Sequence, residues 1–170
     1  MCKLQYIFLM GVCGSGKSTA AEKLSKLIGA KFIDADYYHS PENKQKMANG
    51  ISLTDDDRIP WLENLSQIIM NSKERLVIAC SALKSSYRKI LTKNLLNYFI
   101  FIHLNVERNE LERRLESRKN HFVNTKLLSS QLNSLEIPIF ETNCYIIDAN
   151  KDIGRVLDEI LQILLKYQIP

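Results

Sequence analysis

Residues Gly11-Val12-Cys13-Gly14-Ser15-Gly16-Lys17-Ser18 fit the pattern GxxxxGK[ST], and Thr19 follows. The pattern is preceded by an apolar run, Leu4–Met10, and opens a segment, Ser18–Ile28, with helical spacing of Ala20, Ala21, Leu24, Leu27 and Ile28. This strand–loop–helix order restricts the fold more than any other stretch of the chain. Its glycines let the backbone curl so that successive N–H groups point inward at phosphate oxygens. The helix that starts there adds the partial positive charge of its N-terminus. Lys17 suits the β- and γ-phosphates of a nucleotide, and the Ser18 hydroxyl suits Mg²⁺. Gly11, Cys13, Gly14, Ser15, Gly16 and Thr19 make up the rest of the cradle. A glycine-rich turn with a helix cap is the competing reading, which the complete motif in this setting disfavours.

The rest of the chain repeats the alternation. Lys31–Ile33, Leu76–Cys80, Phe99–Leu104 and Cys144–Ile147 are compact apolar runs, as expected of strands covered on both faces. Trp61, Leu62, Leu65, Ile68 and Ile69 form one further helical stripe. Ile153, Val156, Leu157, Ile160, Leu161 and Leu164 form another. The β-α-β-α order predicts an α/β protein, three layers deep, with a five-stranded, mainly parallel sheet. At 170 residues this is a single domain over 1–170, able to bury roughly 70% of its unfolded surface without disulfide or metal. The polar stretch of about 118–125 is the candidate for a mobile lid.

Composition narrows the function classes. Lys plus Arg exceed Asp plus Glu by 23 − 19 = +4, too little to argue for nucleic acid and suited to small anions. The four cysteines (Cys2, Cys13, Cys80, Cys144) form no CxxC pair and adjoin none of the three histidines (His39, His103, His121). They read as buried apolar residues or free thiols in a reducing cytosol. Lys3 followed by Leu4–Met10 resembles a secretion signal only faintly. It runs straight into the glycine loop, which reads as a buried strand rather than a cleavage site. No apolar run is long enough to span a membrane.

A phosphate loop of this type needs a carboxylate near its metal, usually at the end of a strand beside the first. Leu76–Cys80 is followed by Ser81 instead. Asp34-Ala35-Asp36, after the Lys31–Ile33 strand, is the replacement. In extended chain residues i and i+2 point the same way, so one carboxylate could serve Mg²⁺ and the other a substrate hydroxyl. A carboxylate beside that hydroxyl accepts its proton as the oxygen attacks phosphorus. A solvated turn after the strand is an equal reading. Asp148 is also a strand-end carboxylate, with a turn or capping role at least as good.

Together these motifs resemble the shikimate kinase-like branch of small-molecule kinases, and further strings resemble gluconokinases. These are Asp36-Tyr37-Tyr38-His39, Lys46–Gly50, Leu53-Thr54-Asp55-Asp56-Asp57-Arg58-Ile59-Pro60-Trp61-Leu62, Cys80–Lys84 with Tyr87-Arg88, Arg114-Leu115 with Arg118–Phe122, and Leu127-Leu128 through Gln131 to Leu135–Pro138. Ala35 departs from the usual glycine, and Ile137 from a frequent second Glu. The resemblance implies ATP-dependent phosphorylation of the 6-hydroxyl of D-gluconate, Mg²⁺ dependence, a cytoplasmic setting and a homodimer. No nucleic-acid or membrane partner is implied. A kinase for a related sugar acid or shikimate, or a non-catalytic nucleotide-binding module, are the alternatives.

On that resemblance, Lys17, Asp36 and Arg118 carry catalysis, and Ser18 and Asp34 hold Mg²⁺. Arg58 is the first candidate for the gluconate carboxylate, its planar fork matching two oxygens. Lys84 and Arg88, i and i+4 if helical, come next. Asp36 and His39 would fix the hydroxyl end. An acidic helix start with a local ion pair is the rival for Arg58 and Asp55–Asp57. Core packing is the first expectation for Trp61. Arg114 and Arg118 would face the phosphates from one helical side, with His121 in the lid and Asp148-Ala149-Asn150 near the adenine. Without the resemblance, Arg114 and Arg118 read as a solvated charged face.

Overall fold

A computed structural model describes residues 4–96, 98–117 and 125–169. The elements run β1 (Tyr6–Met10), α1 (Lys17–Leu27), β2 (Lys31–Asp34), a single 3₁₀ turn (Ala35–Tyr38), α2 (Pro41–Ala48), α3 (Asp55–Met70), β3 (Leu76–Ala79), α4 (Ser85–Thr92), β4 (Phe99–Asn105), α5 (Arg108–Glu116), α6 (Thr125–Ser134), β5 (Cys144–Asp148) and α7 (Ile153–Leu165). The sheet order is β2-β3-β1-β4-β5, and every pairing is parallel. The five expected strands are all present, shifted by one or two residues at their ends. Asp34 and Asp148 are the last residues of β2 and β5 rather than the first after them.

Residues alternate between the two faces of the central strands, so each face has its own core. Ile7, Leu9, Ile100 and Ile102 pack with Ala20 and Leu24 of α1 and with Val156, Ile160 and Leu164 of α7. Phe8, Met10, Ile78 and Phe101 pack with Trp61, Leu62, Leu65 and Ile69 of α3 and with Tyr87 and Leu91 of α4. Phe8 and Phe101 stack across neighbouring strands at 4.6 Å. Each fully buried large side chain contributes roughly 1.5–3 kcal/mol, which is why β1 tolerates no polar residue. The central strand β1 adjoins β3 on one side and β4 on the other. Such a switch point opens a crevice beyond the carboxyl ends of the strands, and the glycine loop leaves β1 there.

Local chemistry fixes the helices around that crevice. Thr54 caps α3 in a reciprocal capping box with Asp57, satisfying two otherwise orphaned N–H groups. Ser40 caps α2, with Pro41 at its first position, where a missing N–H costs nothing. The apolar pattern marked α1, α3 and α7; α4 and α5 entered only through the i, i+4 spacing of their cations, and α2 and α6 were not marked. Residues 118–124 of the expected lid lie outside the described residues, and Thr125 begins α6.

Candidate active site

The glycine loop follows a path that only glycine allows at two points. Gly11 has φ +146°, and a Cβ there would sit 2.8 Å from Ser15 Oγ and 3.0 Å from the Leu104 carbonyl. Gly14 has φ +83°, and its Cβ would press on Leu115 of α5 at 3.0 Å. Gly16 precedes α1 and offers no side-chain cap, so the first-turn N–H groups of Lys17, Ser18 and Thr19 remain for an anion. Ser18 and Thr19 are exposed at this mouth. Lys17 folds back to donate to the Val12 carbonyl at 3.1 Å. The Cys13 N–H donates to Gln131 Oε1 at 2.7 Å. Ser15 Oγ is buried with no partner among the described residues, an orphaned polar atom inside the cradle itself.

Beside the loop lies a cavity of ≈ 480 Å³ lined in part by Gly14, Thr19, Arg114, Ala149, Asn150 and Ile153. Arg114 donates to Glu110 at 2.7 Å and to the Ala149 carbonyl at 2.8 Å. Arg113 and Arg114 hold the Glu110 carboxyl down at about 2. Asp148 accepts from both the backbone and the side-chain N–H of Asn150. It thus takes the turn role that the sequence left open. Arg118 and His121 lie outside the described residues.

On the other side of the loop, the chain leaves β2 and turns at once. Asp34 caps the 3₁₀ turn, its Oδ1 accepting the Asp36 N–H at 3.1 Å. The extended i, i+2 geometry expected for this pair therefore does not hold. The second oxygen of Asp34 makes no hydrogen bond among the described residues. The Asp36 side chain is 69% exposed, and the rest of it lies against protein. Those surroundings raise its carboxyl above the ordinary range, Lys17 opposes the shift, and Asp34 adds to it.

Trp61 does more than pack. Its indole N–H donates to the Ala35 carbonyl at 3.0 Å, and its ring stacks on His39 at 3.9 Å. This fixes the turn and the imidazole together. His39 Nε2 sits 4.0 Å from Asp36 Oδ1, and its Nδ1 is buried without a partner among the described residues. Burial, then Arg58 and Lys44, lower its pKa to about 4. The ring is neutral, a hydrogen-bonding group rather than a cation.

A second cluster continues from His39. Arg58 donates to the Leu53 carbonyl at 2.6 Å and to the Tyr87 hydroxyl at 3.5 Å. Tyr87 donates to Asp55, which also accepts from Lys84 at 2.7 and 2.8 Å. Asp57 belongs to the capping box and pairs with Lys46 at 2.7 Å, so the local ion-pair reading holds for that aspartate. Hydrogen bonds join Arg58, Tyr87, Asp55 and Lys84, His39 lies beside Asp36, and Lys17 and Arg58 act on Asp36 and His39 through their charges. Tyr87 and Asp55 lay inside the quoted strings, but nothing in the pattern gave them roles.

Arg88 requires a correction. It is 2% exposed and turned inward, donating to Glu141 and to the carbonyls of Ala82, Leu83 and Glu136. Lys84 is the N-cap of α4 rather than part of its helix, so the two cations do not share a face. Arg88 has no donor left for a substrate carboxylate, because a guanidinium has only five N–H bonds.

A glycine-loop cradle with a nucleotide-sized cavity on one side and the Asp36 carboxylate on the other defines a small-molecule kinase of the phosphate-loop type. The model of the shikimate kinase family matches residues 13–165. A probable gluconokinase of Xenopus tropicalis is 41% identical, covering 91% of this chain and 90% of its own. The thermosensitive gluconokinase of Escherichia coli is 40% identical over 92% of this chain and 86% of its own. A solved gluconokinase of Sinorhizobium meliloti superposes with a TM-score of 0.90 at 37% identity, over 98% of this chain and 94% of that one. The chain belongs to the shikimate kinase family and, within it, to the gluconokinases. Shikimate kinase of Acinetobacter baumannii shares the fold, with a TM-score of 0.67 at 20% identity.

Proposed function

We propose that the protein transfers the γ-phosphoryl group of ATP to the 6-hydroxyl of D-gluconate, giving 6-phospho-D-gluconate and ADP. The observation that carries this reading is the array from Lys17 to Lys84, in which Arg58, Tyr87, Asp55 and Lys84 are hydrogen-bonded and Lys17 and Arg58 act through charge on Asp36 and His39. It starts with a phosphate-binding cation, passes a carboxylate, and ends among Arg58 and Lys84. An acyclic acid with a hydroxyl at one end and a carboxylate at the other matches that polarity. Asp36 orients the 6-hydroxyl and takes its proton as the oxygen attacks phosphorus in line. The neutral His39 supports a neighbouring hydroxyl. Arg58 and Lys84 pair the carboxylate, exchanging part of their bonding to Tyr87 and Asp55 for it. Lys17 releases the Val12 carbonyl to meet the β- and γ-phosphates.

Magnesium fits the donor set. The Ser18 hydroxyl and the free oxygen of Asp34 are hard oxygen ligands, and no group of three or more metal-ligating side chains occurs among the described residues. Mg²⁺ in kinases is held by one or two protein oxygens with phosphate and water. When bound it neutralises charge on the β- and γ-phosphates. Arg114 on the nucleotide side, with Arg118 and His121 from the lid, adds positive charge around the phosphates and substrate. Family resemblance supports a homodimer in the cytoplasm, for which light scattering on purified protein is the direct measurement. Among the described residues no helix is long and apolar enough to cross a membrane.

An ADP-release assay across gluconate, other sugar acids and shikimate tests the substrate. Turnover should be confined to gluconate or greatest with it. Nucleotide binding without turnover on any of these acids would favour a binding module instead. Lys17→Ala and Asp36→Asn should each lower kcat by at least about 10²-fold with the fold intact, as loss of charge stabilisation or of a positioned base does. Near-normal kcat in either variant refutes its assigned role.

A further inference from the structure

Glu136 lies in the segment that leaves α6, and it touches the chain on both sides of Lys84. Its N–H donates to the Leu83 carbonyl at 2.8 Å. Its carboxylate accepts the Ser85 N–H at 2.6 Å. The residue just before Lys84 and the residue just after it are thus held by one side chain and its own backbone. The second bond is charge-assisted and falls at the N-terminus of α4, where a carboxylate also meets the helix dipole. Arg88 reinforces the same grip. It donates to the Ala82 and Leu83 carbonyls and to the Glu136 carbonyl. Ala82 has φ +43°, a left-handed conformation that a non-glycine residue keeps only when its surroundings enforce it.

Five residues earlier on the same stretch, Gln131 accepts the Cys13 N–H of the phosphate loop. Leu128, one turn before Gln131, is buried in the core, so α6 is anchored between these two contacts. Gln131 and Glu136 therefore join the loop that cradles phosphate to the loop that carries Lys84.

We propose that Gln131 and Glu136 are positioning residues that set Lys84 for the gluconate carboxylate in register with the phosphate loop. This rests on the reading of Lys84 as a carboxylate ligand. Glu136 fixes the backbone on which Lys84 stands. Gln131 passes order in the phosphate loop to that backbone, so bound nucleotide strengthens gluconate binding. By linkage, gluconate then strengthens nucleotide binding by the same factor.

The test uses the full chain and four proteins: wild type, Glu136→Ala, Glu136→Gln and Gln131→Leu. Gluconate turnover is measured first, then gluconate affinity by calorimetry with and without a non-hydrolysable ATP analogue. Glu136→Ala should raise the gluconate KM about 5–10-fold with kcat within about twofold, the effect of one charge-assisted hydrogen bond. Glu136→Gln keeps an acceptor oxygen and should restore most of that loss. Glu136 is exposed, so neither change empties the core. Gln131→Leu should leave gluconate affinity without nucleotide unchanged and abolish its enhancement by the analogue. An unchanged gluconate KM in Glu136→Ala, or undiminished enhancement in Gln131→Leu, overturns the proposal. An equal loss in Glu136→Ala and Glu136→Gln also overturns it. Failure of the wild type to phosphorylate gluconate would instead overturn the substrate reading.

Discussion

Lowering the pH should destabilise this protein well before its carboxylates protonate, and His103 is a principal reason. The residue lies on β4, 1% exposed, with Nδ1 lacking a partner among the described residues. Burial, followed by the nearby Arg88 charge, lowers its pKa from 6.5 to about 4. The sign follows from proton counts. Between these two values the unfolded chain binds a proton on this ring and the folded chain does not. Stability therefore falls as pH drops from about 6.5 towards 4. At pH 5 the difference amounts to about 2 kcal/mol. Unfolding entropy near 2.1 cal/mol/K per residue gives about 0.36 kcal/mol/K for this length, so the midpoint should fall by about 5–6 °C. His39, whose pKa is also lowered to about 4, adds a similar increment by the same logic. The assay is thermal unfolding of the wild type and His103→Leu at pH 7.5, 6 and 5. The leucine variant removes the titration without stranding a hydrogen-bond partner at Nδ1. It should lose about half as much midpoint between pH 7.5 and 5. Equal losses in the two proteins would refute the argument.

Two further outcomes follow from the geometry. Glu141→Ala leaves the buried Arg88 guanidinium without its carboxylate and should cost about 3 kcal/mol in chemical denaturation, the low end for a broken buried pair. Arg88 holds the Glu141 carboxyl below its usual value. The stability from this pair is therefore present above about pH 4.5 and lost as the pH falls through the lowered value. The variant's acid-unfolding curve should lack that component. Gly14→Ala should weaken ATP binding at least about tenfold with a smaller change for gluconate, since its Cβ would press on Leu115 in a left-handed conformation and distort only the phosphate loop.

Most of the architecture was legible because it follows from periodicity. Strands covered on both faces had to be short apolar runs, and α1, α3 and α7 carry apolar stripes at helical spacing. The helices α2 and α6 left no such signal: Ser40 caps the start of α2, and Gln131 within α6 bonds the distant phosphate loop. The i, i+2 argument for Asp34 and Asp36 failed because Asp34 prefers to cap its own turn, and a side-chain-to-backbone bond of that kind overrides extended geometry. The error over Arg88 has a different origin. Helical spacing from Lys84 said where Arg88 lies along the chain, not that Lys84 stands outside the helix or that Glu141, 53 positions away, would claim the guanidinium.

The sequence by itself determined the phosphate loop, the parallel sheet and the residue types needed for nucleotide and acid chemistry, because each is written in adjacent residues or a short repeat. Tertiary structure alone decided which partner each cation takes. Arg58 and Lys84 join the cluster around Tyr87 and Asp55, while Arg88 is buried against Glu141 and backbone carbonyls. It also decided that Trp61 fixes His39, and that Gln131 and Glu136 join the two loops. Those outcomes depend on competition among partners brought together from distant parts of the chain, and a charged group's role is set by whichever partner reaches it.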